Sequence, residues 1–105
     1  ESLKIRAIAS SLGVNVIPHA WGTMLNMATA AHFLATTYVE PGRAEVREPL
    51  LESDLTPNPM RDEMFSTALE IENGQLKVPS LPGLGVEPDR KAMQTFTIQT
   101  TEAKK

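Results

Sequence analysis

Two ionisable side chains, His19 and Glu52, each follow a short apolar run of the sequence. His19 comes after Val14-Asn-Val-Ile-Pro18, and Glu52 comes after Pro49-Leu-Leu. Histidine takes up and releases protons near neutral pH, and a carboxyl group can donate or accept a hydrogen bond. With the helix predicted between them, the pattern is strand–helix–strand with an ionisable group at the end of each strand, as in the active site of a β/α barrel. We therefore predict that His19 and Glu52 are catalytic residues.

Neither residue is specific when it is taken alone. A histidine after a strand is more often a structural hydrogen-bonding group, and a glutamate at a strand end is usually an exposed carboxylate. The second histidine, His32, lies inside the predicted helix, where we expect it to be packed or half-exposed without a catalytic role. The case for chemistry therefore depends on the elements that position His19 and Glu52 and on the residues around them.

The size and composition of the chain fit part of an enzyme better than a whole one. The chain has 105 residues, whereas a complete eight-stranded barrel needs roughly 250, so we predict the last part of a larger protein. With 10 basic and 13 acidic residues, it has no basic stripe for binding nucleic acid. No apolar run approaches the ~20 residues that span a bilayer, and cysteine is absent. We therefore expect no membrane span, no disulfide and a cytoplasmic location.

The first half of the chain predicts two helices and two short buried strands. Residues 2–12 have helical periodicity, and residues 24–37 predict a second helix. Residues 14–17 are rich in β-branched side chains and suit a buried parallel strand, which Pro18 would end because proline lacks an amide hydrogen. Leu50-Leu51 would form the second strand. The residues expected on buried helix faces are Leu3, Ala7, Ile8, Leu12, Met24, Leu25, Met27, Ala28, Ala31, Leu34 and Ala35.

The second half of the chain predicts mainly turns and a hairpin. Asn73-Gly74 lies between two alternating stretches and predicts a β-hairpin over 69–79, because both residues tolerate the positive φ of a two-residue type I′ turn. The other segments are expected to be a loop over 38–48 with a turn at Pro41-Gly42, one or two helical turns within 61–69, a tight apolar loop over 82–85, a helix over 88–96 and a disordered tail over 97–105.

Three groups of residues together resemble a known family. They are Val16-Ile-Pro-His19-Ala-Trp-Gly-Thr23 before an alanine-rich helix, Pro49-Leu-Leu-Glu52 with Thr56-Pro-Asn-Pro-Met-Arg61, and Asn73-Gly-Gln-Leu-Lys-Val-Pro79 with Leu81-Pro-Gly-Leu-Gly-Val86. In this order and at these separations, they resemble the C-terminal part of the mandelate racemase and muconate lactonizing enzyme family of the enolase superfamily. The resemblance covers residues 2–96.

The resemblance implies an α/β fold in which the chain forms the C-terminal portion of a TIM-like barrel, with its last two strands and helices. Residues 1–54 would supply the final β/α units. Residues 55–96 would form a C-terminal segment whose hairpin, residues 69–79, packs on the barrel and returns towards an α+β capping domain. Residues 97–105 would be the disordered tail.

The same resemblance implies the chemistry of the site. In the family, a Mg²⁺ ion stabilises the enediolate that forms when a proton α to a carboxylate is removed. His19, at the end of the seventh barrel strand, would act as the base or as the acid that protonates a departing hydroxide. Glu52, at the end of the eighth, would work protonated and donate a hydrogen bond to a substrate carboxylate oxygen. Trp21 and Thr23 would line the substrate pocket.

The resemblance also implies that essential parts lie outside this chain. The family's metal ligands, a lysine base and the acidic partner of the histidine come from earlier strands. We therefore expect no metal ligand in this chain, and neither Mg²⁺ binding nor turnover by the chain alone. The expected partners are the upstream barrel and cap, or a companion chain that carries them, together with a small hydroxy-acid or sugar-acid substrate and further copies in a homo-oligomer.

Three functions are compatible with these patterns. The first is dehydration of a sugar acid, and the second is racemisation or epimerisation, which starts with the same removal of a proton. The third follows from the length alone and is non-catalytic: a small interaction module that folds by itself. His19 and Glu52 do not separate the first two, because both reactions would use them.

Overall fold

A computed structural model describes residues 1–36 and 48–101 of the chain. Within these residues the structure has helices and short strands in an alternating order. In chain order the elements are α1 (Ser2–Ser11), β1 (His19–Ala20), α2 (Met24–Ala35), β2 (Glu52–Ser53), α3 (Pro59–Asp62), β3 (Ile71–Glu72), β4 (Gln75–Leu76) and α4 (Arg90–Phe96). The first strands and helices form the α/β unit that the sequence predicted, and the second half of the chain has little regular structure.

Strands β1 and β2 pair in parallel, with His19 opposite Glu52. The amide of Glu52 donates to the carbonyl of Pro18 at 3.1 Å. The next bond towards the start of this ladder would need an amide hydrogen on Pro18, which proline does not have. The predicted strands, residues 14–17 and 50–51, are therefore placed too early, because β1 ends at Ala20 rather than Ile17 and β2 ends at Ser53 rather than Leu51. Pro18 lies before β1 and stops the ladder from extending towards the N-terminus. The prediction placed it at the C-terminal end of the strand instead.

Helix α2 supplies most of the buried surface. The core cluster joins Met27 and Ala30 of the helix to Ala20 of β1, with Leu51 and Leu69 packed against it. Small alanine side chains let the helix lie close to the strands. The predicted buried face is right except that Leu25 and Ala35 are exposed, whereas Ala30, which was not predicted, is buried. The buried residues of the helix are Met24, Met27, Ala28, Ala30, Ala31 and Leu34.

Helix α1 lies against α2 through polar contacts rather than through its apolar side chains. The guanidinium of Arg6 donates to the carbonyl of Phe33 at 3.4 Å and to the hydroxyl of Thr36, and it lies 5.5 Å from the centre of the Phe33 ring. No residue of α1 is buried. The prediction of a buried face on this helix is therefore wrong within the described residues, where Ala7 and the large apolar residues Leu3, Ile5, Ile8 and Leu12 are exposed.

The hairpin lies where the Asn-Gly pair predicted it. Strands β3 and β4 are antiparallel, and the amide of Lys77 extends the pairing by donating to Glu70 at 2.9 Å. Asn73 and Gly74 have φ angles of 51° and 77°, as a type I′ turn requires. The two strands are shorter than the predicted range, and their packing on a capping domain stays a prediction.

The C-terminal segment is anchored to the α/β unit at the loop over 82–85. The Nε2 atom of His32 in α2 lies 3.2 Å from the carbonyl oxygen of Leu84. His32 is half-buried, as predicted. Gly85 in the same loop is buried and has a positive φ of 74°. The loop therefore closes against α2 through one side chain and a tight backbone turn.

Two helix predictions in this half need correction. The helical turns expected within 61–69 are wrong in position, because α3 covers Pro59–Asp62 and the residues after it are not helical. Asn58 fixes its start by accepting a hydrogen bond from the amide of Arg61. Helix α4 starts two residues later than predicted, because Asp89 caps it. The side chain of Asp89 accepts hydrogen bonds from the amides of Lys91 and Ala92.

Several predictions fall partly outside the described residues. These are the end of the second helix at Thr37, most of the loop over 38–48 with its Pro41-Gly42 turn, and residues 102–105 of the tail. Residues 97–101 form no helix or strand. In the part of the chain that the structure describes, no helix is long and apolar enough to cross a membrane.

The turn at Gly85 gives a stability prediction with a matched control. A Cβ at Gly85 would overlap the side chain of Pro79, whereas a Cβ at Gly83, which has a similar φ of 71°, would meet nothing within 4 Å. Both alanine variants lose about 1–2 kcal/mol to left-handed backbone strain. Gly85→Ala should lose a further ~1–3 kcal/mol to overpacking. Thermal melts that give equal losses for the two variants would contradict the close approach of Gly85 to Pro79.

Candidate active site

His19 and Glu52 lie side by side on the two parallel strands. They are opposite each other in the register, and opposite residues of a ladder point their side chains to the same face of the sheet. The Nδ1 atom of His19 lies 3.3 Å from Oε1 of Glu52. The structure therefore brings together the two residues whose types and positions indicated proton chemistry.

This pair is open to solvent. The side chains of His19 and Glu52 are 66% and 65% exposed, and they form an ion pair only when the imidazole is protonated. An exposed pair adds little stability because water screens it, so the fold does not depend on it. A carboxyl oxygen beside Nδ1, in either the ionised or the neutral group, can accept a hydrogen bond from an Nδ1–H and leave the Nε2 lone pair free to accept a proton.

The two predicted pocket residues occupy the loop that follows β1. Trp21 is exposed, and because Ala20 before it is buried, alternation leaves Trp21 and His19 on the open side. Thr23 is the N-cap of α2, but its side chain makes no capping bond. A groove of about 370 Å³ between α1 and α2 includes His19 in its wall and none of the other three predicted residues. The pocket roles of Trp21 and Thr23 stay predictions.

The described residues offer no clustered ligands for a divalent metal. They contain no cluster of three or more histidine, cysteine, aspartate or glutamate side chains that could hold a metal ion. Mg²⁺ prefers octahedral oxygen ligands, with carboxylates among them. This part of the chain does not offer such a set.

A network around Arg61, which the sequence did not predict, fixes the segment after β2. Its guanidinium donates to the carbonyl of Asp54 at 2.7 Å and to the carbonyl of Thr56 at 2.9 Å. It also forms a two-point contact with the carboxylate of Asp62, at 2.7 and 3.0 Å. The side chains of Arg61 and Asp54 are each only 15% exposed. A planar guanidinium suits such multiple contacts, and a lysine could not reproduce them.

Hydrogen bonds in this network lower the pKa of both aspartates. The pKa of Asp54 is lowered from 3.8 chiefly because the amide and hydroxyl of Thr56 donate to its carboxylate, with a further contribution from the Arg61 charge. The pKa of Asp62 is lowered mainly by its hydrogen bonds from Arg61. The one sequence signal for this network was Asn58-Pro59, a good N-cap followed by proline at the first helical position. The hydrogen-bond partners of Arg61 could be identified only from the folded structure.

The fold matches that of a known enzyme family. The parallel strand–helix–strand unit, with ionisable residues side by side on its strands, is of the β/α barrel type. A model of the family described as "Enolase C-terminal domain-like" matches residues 1–92. The chain belongs to this family, and its resemblance to the mandelate racemase and muconate lactonizing enzyme branch is confirmed.

Similar proteins include several enzymes that are much longer than this chain. D-galactarolactone cycloisomerase of Agrobacterium fabrum is 40% identical over 98 residues, which are 93% of this chain and 26% of that protein. Arabinonate dehydratase of Saccharolobus solfataricus is 33% identical over 85 residues, or 81% of this chain and 20% of that protein. The chain thus spans about a quarter or less of the length of these curated relatives.

A solved structure with a similar level of sequence identity also supports the fold. A Burkholderia xenovorans protein, described as a candidate L-alanine-DL-glutamate epimerase bound to magnesium and fumarate, superposes with a TM-score of 0.72. It is 32% identical, and the match covers 90% of this chain and 21% of that one. The magnesium and the fumarate are properties of that structure.

The Arg61 network predicts an acid-sensitive contribution to stability. Arg61→Lys keeps the charge but loses the multiple contacts, so the Tm at pH 7 should fall by on the order of 5 °C. Because the folded pKa of Asp62 lies below its ordinary value of 3.8, this stabilisation is complete above 3.8 and is lost as the pH falls through the folded pKa. The difference in Tm between the two proteins should therefore shrink below pH 3.8.

Arg90→Lys, at the exposed start of α4, is the matched control for that experiment. It should leave the Tm nearly unchanged at every pH. Equal losses for the two lysine variants would mean that the contacts of Arg61 do not hold the segment after β2.

Proposed function

We propose that the full-length protein removes a proton α to the carboxylate of a sugar acid or a cyclic sugar-acid derivative and then expels the β oxygen. The observation that carries this proposal is the 3.3 Å contact between His19 and Glu52. It occurs on adjacent parallel strands, in a chain that belongs to the Enolase C-terminal domain-like family. Two side chains so close together must act on the same small region of a substrate.

His19 is proposed as the residue that moves protons. Its exposed imidazole can accept the α proton at Nε2, or it can hold a proton there and deliver it to the departing oxygen. Which of the two roles applies depends on the face of the substrate that turns towards β1. The contact at Nδ1 serves both, because it fixes the ring and leaves the second nitrogen for the reaction.

Glu52 is proposed as a hydrogen-bond donor to the substrate carboxylate. As the α proton leaves, negative charge grows on the carboxylate oxygens, and a protonated carboxyl group beside them stabilises it. Binding of the substrate at Glu52 would bring the adjacent α carbon close to His19. Trp21 and Thr23, in the loop after β1, would then form the wall of the substrate pocket.

The Mg²⁺ requirement of the full-length protein is part of the proposal. When bound, the ion would act as a Lewis acid on the substrate carboxylate. Its ligands are expected in the upstream barrel, either in the same protein or in a companion chain, and homo-oligomer formation is proposed with it. The 105-residue chain alone is expected to be inactive.

The chemistry of the leaving oxygen separates the possible outcomes. Loss of a free hydroxyl after proton removal is a dehydration, which stays our first prediction and matches the arabinonate dehydratase relative. Loss of a ring oxygen opens the ring and gives an isomer, which fits the more similar cycloisomerase relative. Return of the proton to the other face gives racemisation or epimerisation. The first two differ only in whether the leaving oxygen stays attached to the product.

A substrate panel in deuterium oxide distinguishes these outcomes in one experiment. The full-length protein with Mg²⁺ is offered aldonates, aldarates and their lactones, and the products are followed by NMR and mass spectrometry. We expect dehydration or ring opening of at least one of them. A dehydrated product has lost the mass of water, a ring-opened product has not, and an epimer carries deuterium at an inverted α carbon. Absence of dehydration, of ring opening and of α-proton exchange for every member of the panel would contradict the proposed reaction.

Substitutions of the pair test the two roles separately. In the full-length protein, His19→Asn should lower kcat by about 10²–10⁴-fold, because general acid–base catalysis contributes that much. Glu52→Gln keeps a hydrogen-bond donor and should retain more activity than Glu52→Leu, which has none. His32→Asn, in the chain's second histidine, is the control and should retain full kcat. Normal activity of His19→Asn would reject the catalytic assignment.

A further inference from the structure

Two asparagine side chains hold consecutive carbonyl groups of the loop after β1. The Nδ2 atom of Asn26, in the first turn of α2, donates to the carbonyl of Trp21 at 3.0 Å. The Nδ2 atom of Asn58, in the segment after β2, donates to the carbonyl of Gly22 at 3.0 Å. The loop that follows His19 is therefore bound from both sides, once by its own helix and once by the neighbouring strand's segment.

Asn58 is itself held rigidly. Its Oδ1 atom accepts from the amide of Arg61 at 3.3 Å, so one end of the side-chain amide faces a donor and the other end an acceptor. This arrangement fixes which end is nitrogen. Arg61 in turn binds the carbonyls of Asp54 and Thr56. A continuous set of hydrogen bonds thus runs from the residues just after Glu52 to the loop just after His19.

Packing does not replace these bonds at Gly22. Gly22 has a positive φ of 115°, and nothing lies within 4 Å of the position that a Cβ would take. Trp21 beside it is exposed. With open space around the turn, the orientation of these peptide groups depends on the hydrogen bonds they accept.

We propose that Asn58 is a positioning residue that aligns the loop carrying Trp21 and Thr23 with the strand end carrying Glu52. This inference rests on the proposed function, in which all of these residues act on one substrate. Asn58 acts through the Gly22 carbonyl and does not touch the substrate. Asn26 supports the same loop from the helix side.

Asn58→Asp in the full-length protein separates positioning from folding. Aspartate caps a helix as well as asparagine does, but it cannot donate to the Gly22 carbonyl. Hydrogen exchange of peptides covering residues 20–26 should become several-fold faster, while the Tm stays within about two degrees. The kcat/KM should fall by roughly tenfold to a hundredfold. Asn26→Asp should act in the same direction on the same peptides.

The control is Asn73→Asp, which makes the same chemical change in the hairpin turn, where Asp-Gly is also favoured. It should leave exchange over 20–26 and kcat/KM unchanged. Unchanged exchange in Asn58→Asp would overturn the proposal. So would faster exchange with unaltered kinetics, or a loss of activity that only follows a fall in Tm.

The two proposals can fail separately in these experiments. If the unsubstituted protein acts on no member of the sugar-acid panel, the proposed function fails. Hydrogen exchange then still decides whether Asn58 holds the loop, because it needs no substrate.

Discussion

The parallel register between β1 and β2 is the constraint on which the candidate site depends. Since both strands run in the same direction, residues at the same level of the ladder share a face, and His19 falls opposite Glu52. A shift of one residue on either strand would turn one of the two side chains to the opposite face. The core supports this register because Ala20, next to His19, packs directly under α2.

Pro18 sets where that register can begin. Its carbonyl accepts the bond from Glu52, but its nitrogen has no hydrogen to extend the ladder backwards. The apolar runs before His19 and Glu52 therefore lie next to the paired residues in the sequence but are not part of the ladder. The two apolar runs were predicted to be the strands, whereas the strands begin at the ionisable residues that follow them. The direction in which a proline limits a ladder depends on the partner strand, which the sequence does not specify.

Local signals were predictable, and contacts between distant residues were not. The positive φ angles of Asn73 and Gly74 follow from the two residues themselves, and the alanine-rich face of α2 follows from its periodicity. The burial of a face depends on what covers it, so the apolar side of α1 was predicted as buried and is exposed among the described residues. The guanidinium of Arg61 binds residues up to seven positions away in the sequence, and no local pattern predicts these contacts.

Exposure of the pair defines what the rest of a functional site must supply. A proton on carbon next to a carboxylate is held strongly, and its removal needs an environment that stabilises the growing charge with fixed dipoles rather than mobile water. His19 and Glu52 are each about two-thirds exposed, so within the described residues they meet water on most sides. In the proposed reaction, β1 and β2 would set the distance between His19 and Glu52, and Asn58 would hold the loop beside them. In the proposed reaction, exclusion of water from this face has to come from groups beyond those that β1, α2 and β2 provide.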